Sequence, residues 1–149
     1  MIEINNLTTV KIDEKFLRKV AEKVLEGEKK ESDLSIAILG PGRIKKLNKK
    51  YRGKNKVTDV LAFPGSKALL KKFQVGSLQK MEGLGEIVIC LREVKKNVKR
   101  YKVSFEEELT RVLIHGILHL LGYDHEKDEK KAKEMEEKQN HYLNKIIKS

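Results

Sequence analysis

The stretch Ser104-Phe105-Glu106-Glu107-Glu108-Leu109-Thr110-Arg111-Val112-Leu113-Ile114-His115-Gly116-Ile117-Leu118-His119-Leu120-Leu121-Gly122-Tyr123-Asp124-His125 reads as one helix and the turn that ends it. Ser104 and Glu107 form a capping-box pattern, which satisfies free amides at a helix start. Leu109, Val112, Leu113, Ile117 and Leu120 recur at helical spacing, so a helix from Phe105 through Leu121 is expected at the centre of the core. Gly122 stands where an achiral residue can end that helix in a left-handed conformation and turn the chain back.

The helix carries candidate metal ligands. At about 100° per residue, His115 and His119 project within about 40° of each other, one turn apart, so one cation can be gripped by both. The turn after Gly122 would carry His125 toward the same ion. A lone histidine on an apolar helix is usually a core or surface residue, but three that bracket a glycine at these spacings point to a metal site. Three neutral imidazoles without a thiolate leave the fourth position of tetrahedral zinc open, which describes a catalytic rather than a structural site. Imidazole ligation favours Zn2+, with Ni2+, iron or another divalent metal as alternatives.

The spacing of His115, His119, Gly122 and His125 is also that of the metzincin protease signature, with one departure. Those proteases place their general-base glutamate immediately after the first histidine, where this chain has Gly116. Peptide hydrolysis by that route lacks its base, so a different substrate or proton acceptor is expected.

His115 through His125 resembles the signature of the YbeY family of bacterial ribosomal-RNA maturation factors. Two further segments agree: Leu47-Asn48, Tyr51-Arg52-Gly53-Lys54 and Thr58-Asp59-Val60-Leu61-Ala62-Phe63-Pro64 resemble the family's central motif, and Gly85-Glu86-Ile87-Val88-Ile89 its later strand. The similarity runs from about Leu34 to His125. It implies a single-strand-specific, metal-dependent endoribonuclease acting in rRNA processing, at the 3′ end of small-subunit 16S rRNA, and in ribosome quality control. The implied partners are single-stranded rRNA, the small ribosomal subunit and its maturation proteins. The chain has Ala62 where the family more often has serine, and Glu86 where it more often has aspartate, so no mechanism here can use a hydroxyl at residue 62.

Composition sets the frame. At 149 residues with 39% hydrophobic and 37% charged content, the whole chain, residues 1–149, has the size of one strongly solvated domain with one core. The single cysteine, Cys90, falls in the apolar run Ile87 to Leu91 and is expected to be buried in a strand. Met1 to Thr9 shows no basic region followed by an apolar stretch, and no segment is apolar for long enough to span a membrane, so a cytoplasmic location is expected.

A net charge of +11 suits a polyanionic partner such as RNA, although abundant lysine and glutamate also fit a surface adapted to high temperature. The distribution is more telling: Arg43, Lys45, Lys46, Lys49, Lys50, Arg52, Lys54 and Lys56 run without an acidic residue among them, and Lys95, Lys96, Lys99, Arg100 and Lys102 form a second basic run.

The remaining elements follow from periodicity. Ile2-Glu3-Ile4 alternates as a strand, and Asp13 caps a helix whose apolar face is Phe16, Leu17, Val20, Ala21, Val24 and Leu25. Leu34, Ile36 and Ile38 read as a half-buried strand, followed by a turn at Gly40-Pro41-Gly42 and a short basic helix through Ile44, Leu47 and Tyr51. Val60 to Phe63 and Glu86 to Leu91 read as strands, joined by a long glycine-bearing connection from Pro64 to Leu84. Helices are expected from Glu93 to Lys102 and from about Lys127 to Ile147. The expected fold class is α+β, a single domain with a small mixed β-sheet of about four strands packed with helices, and the metal site on its central helix.

The chemistry expected of a nuclease adds one cation. Arg52, singled out by its place in the Tyr51-Arg52 motif, has a guanidinium that can hold a phosphate through two hydrogen bonds, as lysine cannot. Asp124 and Asp59 read first as turn or cap residues, with a proton-accepting or orienting role the other reading; His141 is expected to be exposed on the last helix, outside the site. Two competing readings are a noncatalytic, metal-stabilised ribosome-assembly factor that binds rRNA and a metalloprotease.

Overall fold

Two strands, β2 (Leu34–Ile38) and β4 (Gly85–Ile89), are buried along their whole length, so both faces of their sheet are covered. The computed structural model describes residues 1–65, 83–123 and 128–148. Together with β1 (Ile2–Asn6) and β3 (Val60–Pro64) they form a four-stranded sheet in the order β1-β2-β4-β3. The first three strands are parallel and β3 runs antiparallel against β4, with Ile36 opposite Ile87 and Leu61 opposite Val88. The fold is the expected α+β class with a mixed sheet.

One face of the sheet presents Ile36, Ile38, Ile87 and Ile89 to the larger core. This core includes residues of α1 (Glu14–Gly27), α3 (Leu91–Tyr101), α4 (Phe105–Leu120) and α5 (Glu129–Ile147). The other face presents Ala37, Val88, Leu61 and Phe63 to Ile44 and Leu47 of α2 (Pro41–Arg52). The second layer corrects the expectation of a half-buried strand at Leu34–Ile38. Ser35 and Ala37, which alternation assigned to solvent, point into that layer and are fully buried.

Capping follows the sequence closely. The Asp13 carboxylate accepts from the Phe16 amide at 3.1 Å, and the Ser104 hydroxyl accepts from the Glu107 amide at 3.0 Å. The turn expected at Gly40-Pro41-Gly42 is instead a helix start, with Gly40 as N-cap and Pro41 in the first turn. The N–H that proline lacks is one the first turn leaves unbonded in any case. Cys90 is buried as expected, but it caps α3 rather than extending β4. The last helix starts at Glu129, two residues later than expected, because the Asp128 carboxylate caps it by accepting from the Lys131 amide at 2.7 Å. Of the connection expected from Pro64 to Leu84, residues 66–82 lie outside the described residues. Among the described residues, no helix is long and apolar enough to cross a membrane.

Candidate functional site

Helix α4 lies across β3 and β4 on the larger core. Its buried stripe, Leu109, Val112, Leu113, Ile114, Ile117 and Leu118, fixes its rotation and leaves His115 and His119 half-buried on the adjoining face. The two imidazole rings are nearly parallel, 9° apart in orientation, with centres separated by 6.3 Å. Between them in sequence, Gly116 packs onto the sheet. A Cβ there would come within 3.1 Å of Ile87 Cγ2 and 3.3 Å of Ile87 Cδ1. A side chain at residue 116 would thus crowd Ile87 of β4.

The helix ends as expected. Gly122 has φ of 101°, and its N–H bonds to the His119 carbonyl at 3.1 Å while the Tyr123 N–H bonds to the Leu118 carbonyl at 3.1 Å. This pair of bonds is the Schellman arrangement that turns a chain away from a helix axis. The sequence assignments of Asp124 and His125 lie outside the described residues.

Helix α5 supports this end of α4. Met135, Tyr142 and Ile146 are its buried residues, and Gln139 lies on the same stripe. The Gln139 side-chain oxygen is 2.9 Å from His115 Nδ1. Beyond it, Glu28, just past α1, accepts from the Tyr123 hydroxyl at 2.7 Å, from Lys138 Nζ at 3.1 Å and from the Tyr142 hydroxyl. Burial alone would raise the Glu28 carboxyl, but these three hydrogen bonds together with the Lys138 charge hold it below its ordinary value. Three segments that meet at the foot of the histidine helix are joined there. The sequence reading missed Gln139 and Glu28; for Gln139 the available signal was its place on the stripe of Met135 and Tyr142.

The opposite wall comes from α2. Its last turn carries Lys49, Lys50 and Arg52, cations suited to the negative end of a helix. Tyr51 meets Phe63 edge to face, with ring centres 5.7 Å apart, and the buried Asn48 donates to the Lys56 carbonyl at 3.0 Å. The Asn48 and Tyr51 contacts hold the end of α2 against β3 and fold the chain that follows. Because side chains alternate along the edge strand β3, Phe63 belongs to the smaller core while Val60 packs against the larger one. Arg52, Val60, Ala62, His115, Gly116 and His119 line one cavity of about 40 Å³. The structure brings Arg52 and the two described histidines together, and Ala62 brings no hydroxyl to the cavity wall.

Asp59 proves to be part of a polar clamp. Asn97 Nδ2 donates to Asp59 at 3.0 Å and to Glu108 at 2.9 Å, and Arg111 grips the buried Glu108 carboxylate through two bonds of 2.8 and 2.6 Å. The hydrogen bonds to Glu108 raise the Arg111 pKa against the effect of burial. The clamp joins the start of β3 to α3 and α4, one turn before His115. Glu86, by contrast, lies outside the cavity: it is buried in the smaller layer and accepts from the Ser35 hydroxyl at 2.6 Å. Burial pushes its carboxyl up to about 7, with the nearby Glu3 charge acting in the same direction. His141 is exposed, as expected.

His115 and His119 match a shared cation in donor type and lie one turn apart on α4, with ring centres 6.3 Å apart. Zn–N bonds of about 2.0–2.1 Å, added to the size of each ring, place two ring centres on one tetrahedral ion about 5.3 Å apart, so sharing an ion would draw these rings about 1 Å closer together. Among the described residues, no group of three His, Cys, Asp or Glu side chains is arranged to hold a metal, so a third protein ligand would have to come from elsewhere in the chain, as His125 would.

Paired helical imidazoles facing a guanidinium across an edge strand define a class of site suited to anionic substrates. Comparison with known proteins specifies the family. The family model described as Endoribonuclease YbeY matches residues 3–147. An Endoribonuclease YbeY of Sulfurihydrogenibium sp. (strain YO3AOP1) is 38% identical over 136 residues, covering 91% of this chain and 84% of the relative. That of Thermotoga neapolitana is 41% identical over 134 residues, covering 88% and 80% respectively. A solution structure from Thermotoga maritima matches with a TM-score of 0.65 at 34% identity, covering 98% of this chain and 89% of that one. The chain belongs to the Endoribonuclease YbeY family.

Proposed function

We propose that this chain is a cytoplasmic, zinc-dependent endoribonuclease that cuts single-stranded RNA in rRNA processing, at the 3′ end of small-subunit 16S rRNA, and in ribosome quality control. The observation that carries the reading is the shared cavity of Arg52, His115 and His119. When bound by His115, His119 and His125, zinc supplies Lewis acidity for a nonbridging phosphate oxygen and acidifies water. Arg52 binds the same phosphate through its guanidinium fork, offsetting the charge that builds during cleavage. Gly116 removes the side chain that would act as base on a peptide, in keeping with a phosphodiester substrate. The exposed cations of α2, Arg43, Lys45, Lys46, Lys49 and Lys50, provide a basic approach to the cavity for the RNA backbone of the small ribosomal subunit.

The test compares metal-free and zinc-loaded protein on single-stranded and duplex rRNA fragments, with a His119→Ala preparation purified in parallel to expose contaminating nuclease. Cleavage of the single strand by the zinc-loaded protein alone is the expected result. RNA binding without metal-dependent cleavage would favour the noncatalytic assembly factor, and cleavage of peptides would favour the protease. The product ends identify the nucleophile, because a 2′,3′-cyclic phosphate with a 5′-hydroxyl marks attack by the substrate's own 2′-hydroxyl, whereas a 5′-phosphate with a 3′-hydroxyl marks water.

A further inference from the structure

Resting on the metal-site reading above, we infer that Gln139 is a positioning residue that selects the ring nitrogen His115 presents to the cavity. The geometry carries this directly: the Gln139 side-chain oxygen lies 2.9 Å from His115 Nδ1. A carbonyl oxygen can only accept, so with this oxygen toward the ring the bond requires the proton on Nδ1 and leaves the lone pair on Nε2. An imidazole whose Nδ1–H is engaged by an oxygen has its tautomer and ring orientation fixed and its other nitrogen made more basic, as outer partners of metal-bound histidines do.

The support for Gln139 is itself rigid. It stands one turn after the buried Met135 and three residues before the buried Tyr142, whose hydroxyl is tied to Glu28. The α5 register that sets Gln139 against His115 is therefore held from both sides by contacts that do not involve the cavity. The outer partner is a neutral amide, so the ring is oriented without a negative charge being added beside a site that is to receive a phosphate.

The experiment uses Gln139→Leu, which removes the acceptor at similar size, and Gln139→Glu, which keeps an oxygen acceptor and removes the amide donor. Zinc affinity is measured by competition with a chelator of known strength, and the His115 tautomer by nitrogen chemical shifts in the metal-free protein. The expected result is a loss of about 10–100-fold in zinc affinity for Gln139→Leu, affinity near or above the parent for Gln139→Glu, and the Nδ1–H tautomer in the parent that Gln139→Leu no longer enforces. Parent-like affinity and tautomer in Gln139→Leu would overturn the inference while leaving the metal site intact. A loss in Gln139→Glu as large as in Gln139→Leu would overturn it too, because the amide would then be acting as donor. If the parent chain binds no zinc, the metal reading falls and this inference with it.

Discussion

The two faces of the sheet do different work. The larger core is almost wholly apolar where it meets the strands, and it holds the histidine helix by close packing of Gly116 on Ile87. The smaller layer buries a carboxylate, Glu86, between Ser35 and the sheet, and it ends in an exposed arginine. The cavity forms at β3, the strand through which both faces reach the edge. In the proposed function, the core-backed wall supplies the imidazoles that share an ion, and the solvent-facing wall supplies the cation that meets the substrate. This division implies that the walls can be disabled separately.

The largest expected effect is on the histidine wall. His119→Ala removes a proposed ligand from α4, and elemental analysis should find metal content reduced to a small fraction of the parent, whereas His141→Ala should leave it unchanged. Equal metal content in the two variants would show that α4 does not carry the site.

Two carboxylates, the buried Glu86 and the half-buried Glu28, sharpen the contrast through pH. Glu86 titrates near 4.5 when unfolded and about 7 when folded, so between these values the folded chain keeps a proton that the unfolded chain has lost. Its contribution makes stability fall as pH rises through that window, by up to about 3 kcal/mol. Glu28 acts with the opposite sign. Its depressed pKa makes a contribution that is present above the ordinary carboxylate range and is lost as pH falls through the folded value. Denaturant titrations should show Glu86→Gln flattening the decline between pH 4.5 and 7, and Glu28→Gln flattening the loss in acid. A Glu86→Gln protein with the parent's pH profile would contradict the burial argument.

Gly116→Ala asks how tightly the core backs the histidines. A methyl 3.1 Å from Ile87 Cγ2 forces a shift of a few tenths of an ångström, with an expected cost of about 1–2 kcal/mol in denaturant unfolding. Gly116→Glu, which restores the protease base in sequence, should destabilise more and hydrolyse no peptide. The smallest effect belongs to the exposed basic face. Lys46→Ala should weaken RNA binding only a few-fold and reduce its salt dependence by about one phosphate contact.

Much of the histidine wall was legible in the sequence because its signals are local. The Ser104 cap, the apolar stripe of α4 and the Gly122 turn each depend on neighbours within a few residues. The four-strand mixed sheet was legible as well. The second layer was not, because alternation in Leu34–Ile38 cannot reveal that Ser35 and Ala37 face another helix. Nor was the start of α2, where Pro41 acts as a helix opener rather than a turn residue. Gln139 reaches His115 across 24 positions of sequence; its place on the inner stripe of its helix was readable, but its partner was not. Arg52 became a candidate only through its motif; its place opposite the histidines depends on the edge position of β3, which periodicity does not specify.

The most direct test of the two-wall account measures zinc content and single-stranded RNA cleavage together in Arg52→Ala and Arg52→Lys. The account predicts parent-like zinc content in both and a loss of cleavage of about 100-fold or more in Arg52→Ala, with little recovered in Arg52→Lys because a point charge lacks the guanidinium fork. Native-rate cleavage by Arg52→Ala with its metal in place would contradict the account and return Arg52 to the general basic surface.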